Sequence, residues 1–233
     1  MKSVIITGGS GGYGLAEAKA FHKAGYAVLI TARNEEKLRA AQKESGADRI
    51  FPMDVTCLAD WERLRAFAAE HIGTPDVLVN NAGGGVHIAP LCEQTPATIE
   101  AAISLNLTGT VLGAYTFAPL MKTRGSGTII NISSVCARHA WGGWSVYAAA
   151  KAGVLAFTKG LQVELQPHGV RASCIIPAAA ATGFQKASGI GDVQVSLATE
   201  DIARAVLYAA ELPPRAILEE MTVWGMSQIV EPL

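Results

Sequence analysis

No surplus of charge of either sign marks this chain. Lys and Arg number 19 against 20 Asp and Glu, a formal net charge of −1, and charged residues make up only 17% of the sequence. A nucleic acid or an anionic bilayer would find nothing to hold, so neither partner is expected. Cysteine is sparse as well. Cys57, Cys92, Cys136 and Cys174 lie far apart with no C-x-x-C pair, which reads as reduced thiols in a cytoplasmic protein. The five histidines are scattered too, so no metal site is expected. No uninterrupted apolar run approaches the ~18 residues of a membrane span. Met1-Lys2-Ser3 leads straight into an apolar strand pattern, so no signal peptide is expected. No linker, repeat or low-complexity tract interrupts the chain, and residues 1–233 are expected to form one domain.

What is abundant is apolar surface: 50% of the 233 residues are hydrophobic, enough for a large core. Short Val/Ile/Leu-rich runs at 3–7, 27–31, 49–53, 77–80, 128–133, 171–176 and 220–224 alternate with helical patterns at 14–23, 35–44, 58–71, 98–121, 146–166 and 200–210. Runs too continuous to carry a wet face are strands covered on both sides. Their alternation with helices predicts a doubly wound α/β fold. In such sheets ligands bind beyond the carboxyl ends of the strands, so those ends hold the candidate functional residues.

The first end reads TGGSGGYG. Gly9, Gly11 and Gly14 fit G-x-G-x-x-G, while Thr7, Gly8, Gly12 and Gly14 fit T-G-x-x-x-G-x-G. Either spacing lets the backbone approach a pyrophosphate at a helix N-terminus, though a glycine-rich stretch alone is equally a flexible turn. The second end lacks the carboxylate that would bond a free ribose 2′-hydroxyl. Arg33 stands there instead, between Thr31 and Asn34, and a guanidinium suits a 2′-phosphate. NADP(H) is therefore favoured over NAD(H). The competing reading makes Arg33 a solvated charge and Asn34 the cap of the next helix.

Tyr147 and Lys151 are spaced i, i+4 and share one helix face. A phenol, with a reference pKa of about 10, is a poor base unless a neighbouring ammonium favours its anion. With that help the pair could move a proton to or from a carbonyl oxygen. Ser134, at a strand end, could hold that oxygen beside Tyr147.

Together these stretches resemble the short-chain dehydrogenase/reductase family over nearly the whole chain. The glycine loop matches in its Thr7, Gly8, Gly12, Gly14 register, NNAG at 80–83 matches the motif after the fourth strand, and Asp54 matches an adenine-contacting position. Asn106, Ser134, Tyr147 and Lys151 fall on the family's catalytic tetrad. The resemblance implies a Rossmann fold with a mostly parallel seven-stranded sheet in the order 3-2-1-4-5-6-7 and helices on both faces. It implies cofactor contacts from Thr7, Gly8, Ser10, Gly12, Tyr13, Gly14, Arg33, Asn34, Asp54, Val55, Asn81, Ala82, Gly83, Tyr147, Lys151, Pro177, Ala180 and Thr182. Asn106 would hold a backbone kink and a water of the proton relay, and Lys151 would also grip a ribose. A homo-oligomer, tetramer or dimer, is implied through the long helices at 98–121 and 146–166.

Three positions depart from the family pattern. Ala178 replaces a glycine after Pro177 and would be strained if that position needs φ > 0. Ser173 stands where asparagine is common, and Tyr13 where isoleucine is typical. Around a substrate the expectation places Gly85, Cys136, Trp141, Trp144 and Phe184, under a short lid at 183–196. Two tryptophans favour a small to medium, moderately apolar or aromatic ketone or secondary alcohol as the small-molecule substrate. Lys186, Arg138 and His139 keep a 3-oxoacyl or 3-hydroxy acid substrate open, and a non-catalytic NADP(H)-binding sensor is the remaining alternative.

Overall fold

The computed structural model describes residues 1–180, 182 and 197–228. Seven strands form one sheet in the order β3-β2-β1-β4-β5-β6-β7. They are β1 Ser3–Thr7, β2 Ala27–Ala32, β3 Arg49–Pro52, β4 Val77–Asn80, β5 Gly127–Ile132, β6 Val170–Pro177 and β7 Glu220–Val223. Every neighbouring pair is parallel. β1 and β4 are buried throughout, as their unbroken apolar runs predict. The chain winds outward from β1 to β3 and returns to lay β4 beside β1, so the strand order reverses between β1 and β4. Their carboxyl ends open the crevice in which such sheets bind ligands.

Helices α1 (Gly12–Lys23) and α2 (Glu35–Ser45) cover one face, with α7 (Thr199–Glu211) beside α1. Val4 and Ile6 pack there with Phe21, Leu38 and Val206. Helices α3 (Leu58–His71), α5 (Gly109–Arg124) and α6 (Ser145–Leu165) cover the other, where Ile5 meets Trp61, Phe117 and Leu161. The period of two in β1 thus feeds two separate cores. The Trp61 indole N–H is not stranded in its core, because it donates to the Val55 carbonyl at 2.8 Å.

The helical pattern at 98–121 proves longer and less regular than expected. It starts earlier, as α4 (Pro96–Ile103), because Thr95 and Thr98 cap it reciprocally. A π-helical turn, Ser104–Thr108, joins it to α5. By length and mean hydropathy, 1.2, the whole run Pro96–Arg124 would pass for a membrane span, but half of its most apolar window is buried inside the fold. It is apolar because it packs on the sheet.

One side chain contradicts the apolar logic of its surroundings. Glu17 on α1 is fully buried, and neither carboxylate oxygen has a hydrogen-bond partner. Burial pushes its pKa up to about 8, so the folded protein holds this carboxyl protonated where an unfolded chain ionises it near 4. Stability therefore falls as pH rises from the unfolded pKa to about 8, by about 1.4 kcal/mol per unit, and is level above. Glu17→Leu should raise the unfolding free energy by a few kcal/mol at pH 8. That advantage should shrink as pH is lowered toward 5 in denaturant titrations; a gap independent of pH would refute the account.

Candidate active site

The glycine-rich turn between β1 and α1 shows which glycine spacing matters. Gly8 and Gly12 adopt φ of +71° and +53°, a region side-chain-bearing residues rarely enter. A Cβ on Gly14 would stand 2.4 Å from the Gly8 carbonyl oxygen, whereas one on Gly11 would meet nothing within 4 Å. The T-G-x-x-x-G-x-G spacing is thus the one the backbone requires. Gly9 lies outside it but is required by packing, since a Cβ there would lie 2.5 Å from Cβ of Ile30.

Thr7 fixes this turn to the end of β4. Its hydroxyl accepts the N–H groups of Asn81 and Ala82, both at 3.0 Å, and donates to the Val79 carbonyl at 3.3 Å. The Asn81 side-chain amide returns a bond to the Thr7 carbonyl at 2.8 Å. Thr7 is buried behind the crevice rather than lining it, and Gly14 also lies behind the lining.

The crevice has a volume of about 490 Å³. Following the strand order, it runs from Arg33 past β2, through Gly8, Ser10, Gly12 and Tyr13 past β1 and Asn81, Ala82 and Gly83 past β4, to Tyr147 and Lys151. Asp54, Val55 and Thr182 line it too. Asp54 Oδ1 accepts the Thr56 N–H and hydroxyl at 2.9 and 2.8 Å. Asn34 lines it as well, and its Oδ1 also caps α2 by accepting the Lys37 N–H at 2.8 Å. Lys37, one turn beyond Arg33, lines the same end. Among the described residues neither cation makes an ion pair, and the nearby Glu35 carboxylate pairs with Arg39. Two free cations, no carboxylate at the end of β2 and a turn open at Gly11 fit a phosphorylated dinucleotide.

At the far end Asn106, in the π-helical turn, is fully buried. Its Oδ1 accepts the Gly84 N–H at 3.0 Å, and its amide donates to the Gly84 and Ala102 carbonyls at 2.8 and 3.0 Å. The Lys151 ammonium donates to the Ile132 carbonyl at 2.9 Å, while Ser133 donates to the Lys151 carbonyl at 2.7 Å. Burial lowers the Lys151 pKa to about 8. Ser134 hydrogen-bonds the Tyr147 phenol and accepts the Cys136 N–H at 3.2 Å.

The expected depression of the Tyr147 pKa is not what the structure gives. Burial dominates and pushes the phenol well above its usual range, Cys136 adds to the rise, and the Ser134 bond only partly opposes both. Lys151 lies 5.8 Å from the ring centroid, yet it does not offset desolvation.

The remaining expected residues scatter around this centre. Trp144 meets the Tyr147 ring edge-on at 5.6 Å between centroids, and Cys136 and Gly85 are buried close by in sequence to Ser134 and Gly84. Trp141 is 43% exposed. Pro177 closes β6, and Ala180 forms an isolated bridge with Leu197, so neither lines the crevice. Ala178 carries no strain, since no residue but glycine has positive φ among those described. Phe184, Lys186 and the 183–196 stretch lie outside the described residues. Lys37 was missed from the sequence. Its signal was an unpaired lysine at i+4 from Arg33, in a first turn whose Glu35 has its own partner at i+4.

A parallel, doubly wound sheet with a glycine turn at its switch point and a Ser–Tyr–Lys cluster at the crevice end defines a dinucleotide-binding class of fold. A profile of short chain dehydrogenases matches residues 2–192, and the chain belongs to that family. An uncharacterised oxidoreductase of Staphylococcus aureus is 31% identical over 224 residues, 95% of this chain and 96% of its own. Among solved structures, the closed form of a serine dehydrogenase complexed with NADP+ superposes with a TM-score of 0.93 at 29% identity, covering 99% of this chain and 98% of that one. An alcohol dehydrogenase from the archaeon Thermococcus sibiricus, complexed with 5-hydroxy-NADP, gives 0.88 at 28% identity over the full length of both.

Replacing Thr7 by Val would keep its shape and strand two N–H groups. The expected loss is about 2–4 kcal/mol of stability, read from the denaturant midpoint. Thr7→Ser should lose less than half of that.

Proposed function

We propose that the protein is an NADP(H)-dependent oxidoreductase that interconverts a ketone and a secondary alcohol. The observation that carries this reading is one crevice lined by free Arg33 and Lys37 at one end and by Tyr147 and Lys151 at the other. Bound there, the nicotinamide supplies or accepts the hydride. Arg33 and Lys37 would hold the 2′-phosphate, and the backbone N–H groups of the glycine turn the pyrophosphate. The NADP complexes of the two similar solved structures support the same cofactor.

Tyr147 would give its proton to the carbonyl oxygen. A phenol pushed upward by burial stays protonated at neutral pH, which suits ketone reduction. Ser134, already bonded to that phenol, would hold the same oxygen. Lys151 keeps further N–H donors beyond the one used on Ile132, available to a ribose hydroxyl. Asn106 holds Gly84, and with it the backbone facing Lys151.

The substrate we infer is neutral, small to medium, and moderately apolar or aromatic. Val86, Leu91 and Trp141 are exposed apolar side chains on the segments that follow β4 and β5, and a Cβ on Gly143 would stand 3.4 Å from the Ala89 backbone. The similar serine dehydrogenase raises the alternative of a hydroxy acid. Against it, Arg138 is paired with Glu220, which Lys159 also approaches at 3.4 Å. His139 packs on Trp141 and Trp224. A binding-only protein has no need of Asn106, Ser134, Tyr147 and Lys151 together, and Ala178 carries no positive φ. Four free thiols support a cytoplasmic setting. Exposed Tyr115 on α5 and Val163 on α6 support a homo-oligomer joined through those helices.

A panel of ketones and alcohols with both cofactors tests the reading. Tyr147→Phe should lower turnover of any active substrate by about 10²–10⁴-fold while leaving NADPH binding within about twofold; retained turnover would remove the tyrosine from the chemistry. Arg33→Asp should raise the KM for NADPH by about tenfold or more, with little change for NADH. Lys37→Gln should act in the same direction by less. Equal shifts for both cofactors would refute the phosphate role.

A further inference from the structure

Tyr13 joins two parts of the crevice wall that are far apart in sequence. It sits in the first turn of α1 and lines the crevice, yet its hydroxyl reaches 165 residues along the chain to donate to the Ala178 carbonyl at 3.2 Å. The other side of that residue is fixed as well: the Ala178 N–H donates to Val223 of β7 at 2.9 Å. Residues 178–180 and 182 form a strip beside the glycine turn. The Thr182 N–H donates to the Ala180 carbonyl at 2.8 Å, and the Thr182 side chain lies 3.7 Å from where a Cβ on Gly12 would stand. Ala178 therefore meets Tyr13 and Thr182 meets Gly12, and Thr182 lines the same crevice as Tyr147 and Lys151.

We propose that Tyr13 is a positioning residue, which sets through the Ala178 carbonyl how residues 178–180 and 182 face the glycine turn, and so where the nicotinamide end of the dinucleotide rests relative to Tyr147. The isoleucine typical of this position in the family has no hydroxyl to reach that carbonyl. At 3.2 Å the bond is long for an O–H···O contact, so it orients the strip without locking it. This inference rests on the cofactor reading above. It adds that the Tyr13 hydroxyl, unlike the backbone of the turn it belongs to, acts on the nicotinamide half.

The test compares two ligands on Tyr13→Phe, which removes the donor and keeps the ring. NADPH carries the nicotinamide, while 2′-phospho-ADP-ribose has everything but that ring. Calorimetric titration should show NADPH bound about three- to tenfold more weakly, the loss expected for one hydrogen bond, with affinity for 2′-phospho-ADP-ribose unchanged. The melting temperature should stay within about 2 °C. Equal weakening of both ligands would mean that Tyr13 merely supports the glycine turn, and no change in either would mean that the bond is incidental; both results overturn the proposal. Wild-type protein that binds neither ligand would instead overturn the cofactor reading itself.

Discussion

Everything at the crevice depends on the Thr7 hydroxyl. Three hydrogen bonds meet on that one oxygen, and they join the two strands between which the sheet reverses its order. Without them the glycine turn and the Asn81–Gly83 segment would be two loops at neighbouring strand ends, each with buried backbone donors to satisfy. With them, the two loops form one rigid wall. The same constraint explains Gly14, because the close approach that these bonds impose leaves no room for a Cβ beside the Gly8 carbonyl and Asn81.

A second layer of polar contacts carries that rigidity across the sheet. Asn80 donates to Asn131 at 2.9 Å, and Asn131 donates to Thr158 on α6 at 2.9 Å. Lys151 and Ser133 tie the same helix to the end of β5. These side chains are buried, where an unpaired polar group is costly, so the network selects one position of α6 on the sheet. The spacing of Tyr147 and Lys151 from the glycine turn follows from that selection. The cationic rim at Arg138 and Lys159 is settled separately, by Glu220 at the edge of the sheet.

Sequence reading recovered what local chemistry dictates. The unbroken apolar runs of β1 and β4 could only be buried strands, and the i, i+4 relation of Tyr147 and Lys151 follows from helix geometry alone. Arg33 was visible because a carboxylate was missing. What escaped depends on partners distant in the chain. Nothing near Tyr13 announces Ala178, and nothing near Arg138 announces Glu220, 82 residues on. Gly9 looked incidental because its reason is Ile30 on the neighbouring strand. The direction of the Tyr147 pKa was misjudged because pairing with Lys151 can be read from a sequence, whereas the depth of burial that outweighs it cannot.

The contact between Tyr13 and Ala178 also carries information about assembly. The walls of the crevice are made from segments that leave the ribosome at very different times. The bonds on Thr7 can form once β4 has been synthesised, but the strip at Ala178 arrives 165 residues after Tyr13. Closing so long a loop is entropically late and slow. A growing chain that has completed β5 therefore owns a finished glycine turn facing an unfinished opposite wall. The crevice becomes whole only when β6 has joined β5 and β7, which holds the Ala178 N–H, has joined β6, so the last two strands of the sheet complete the binding surface.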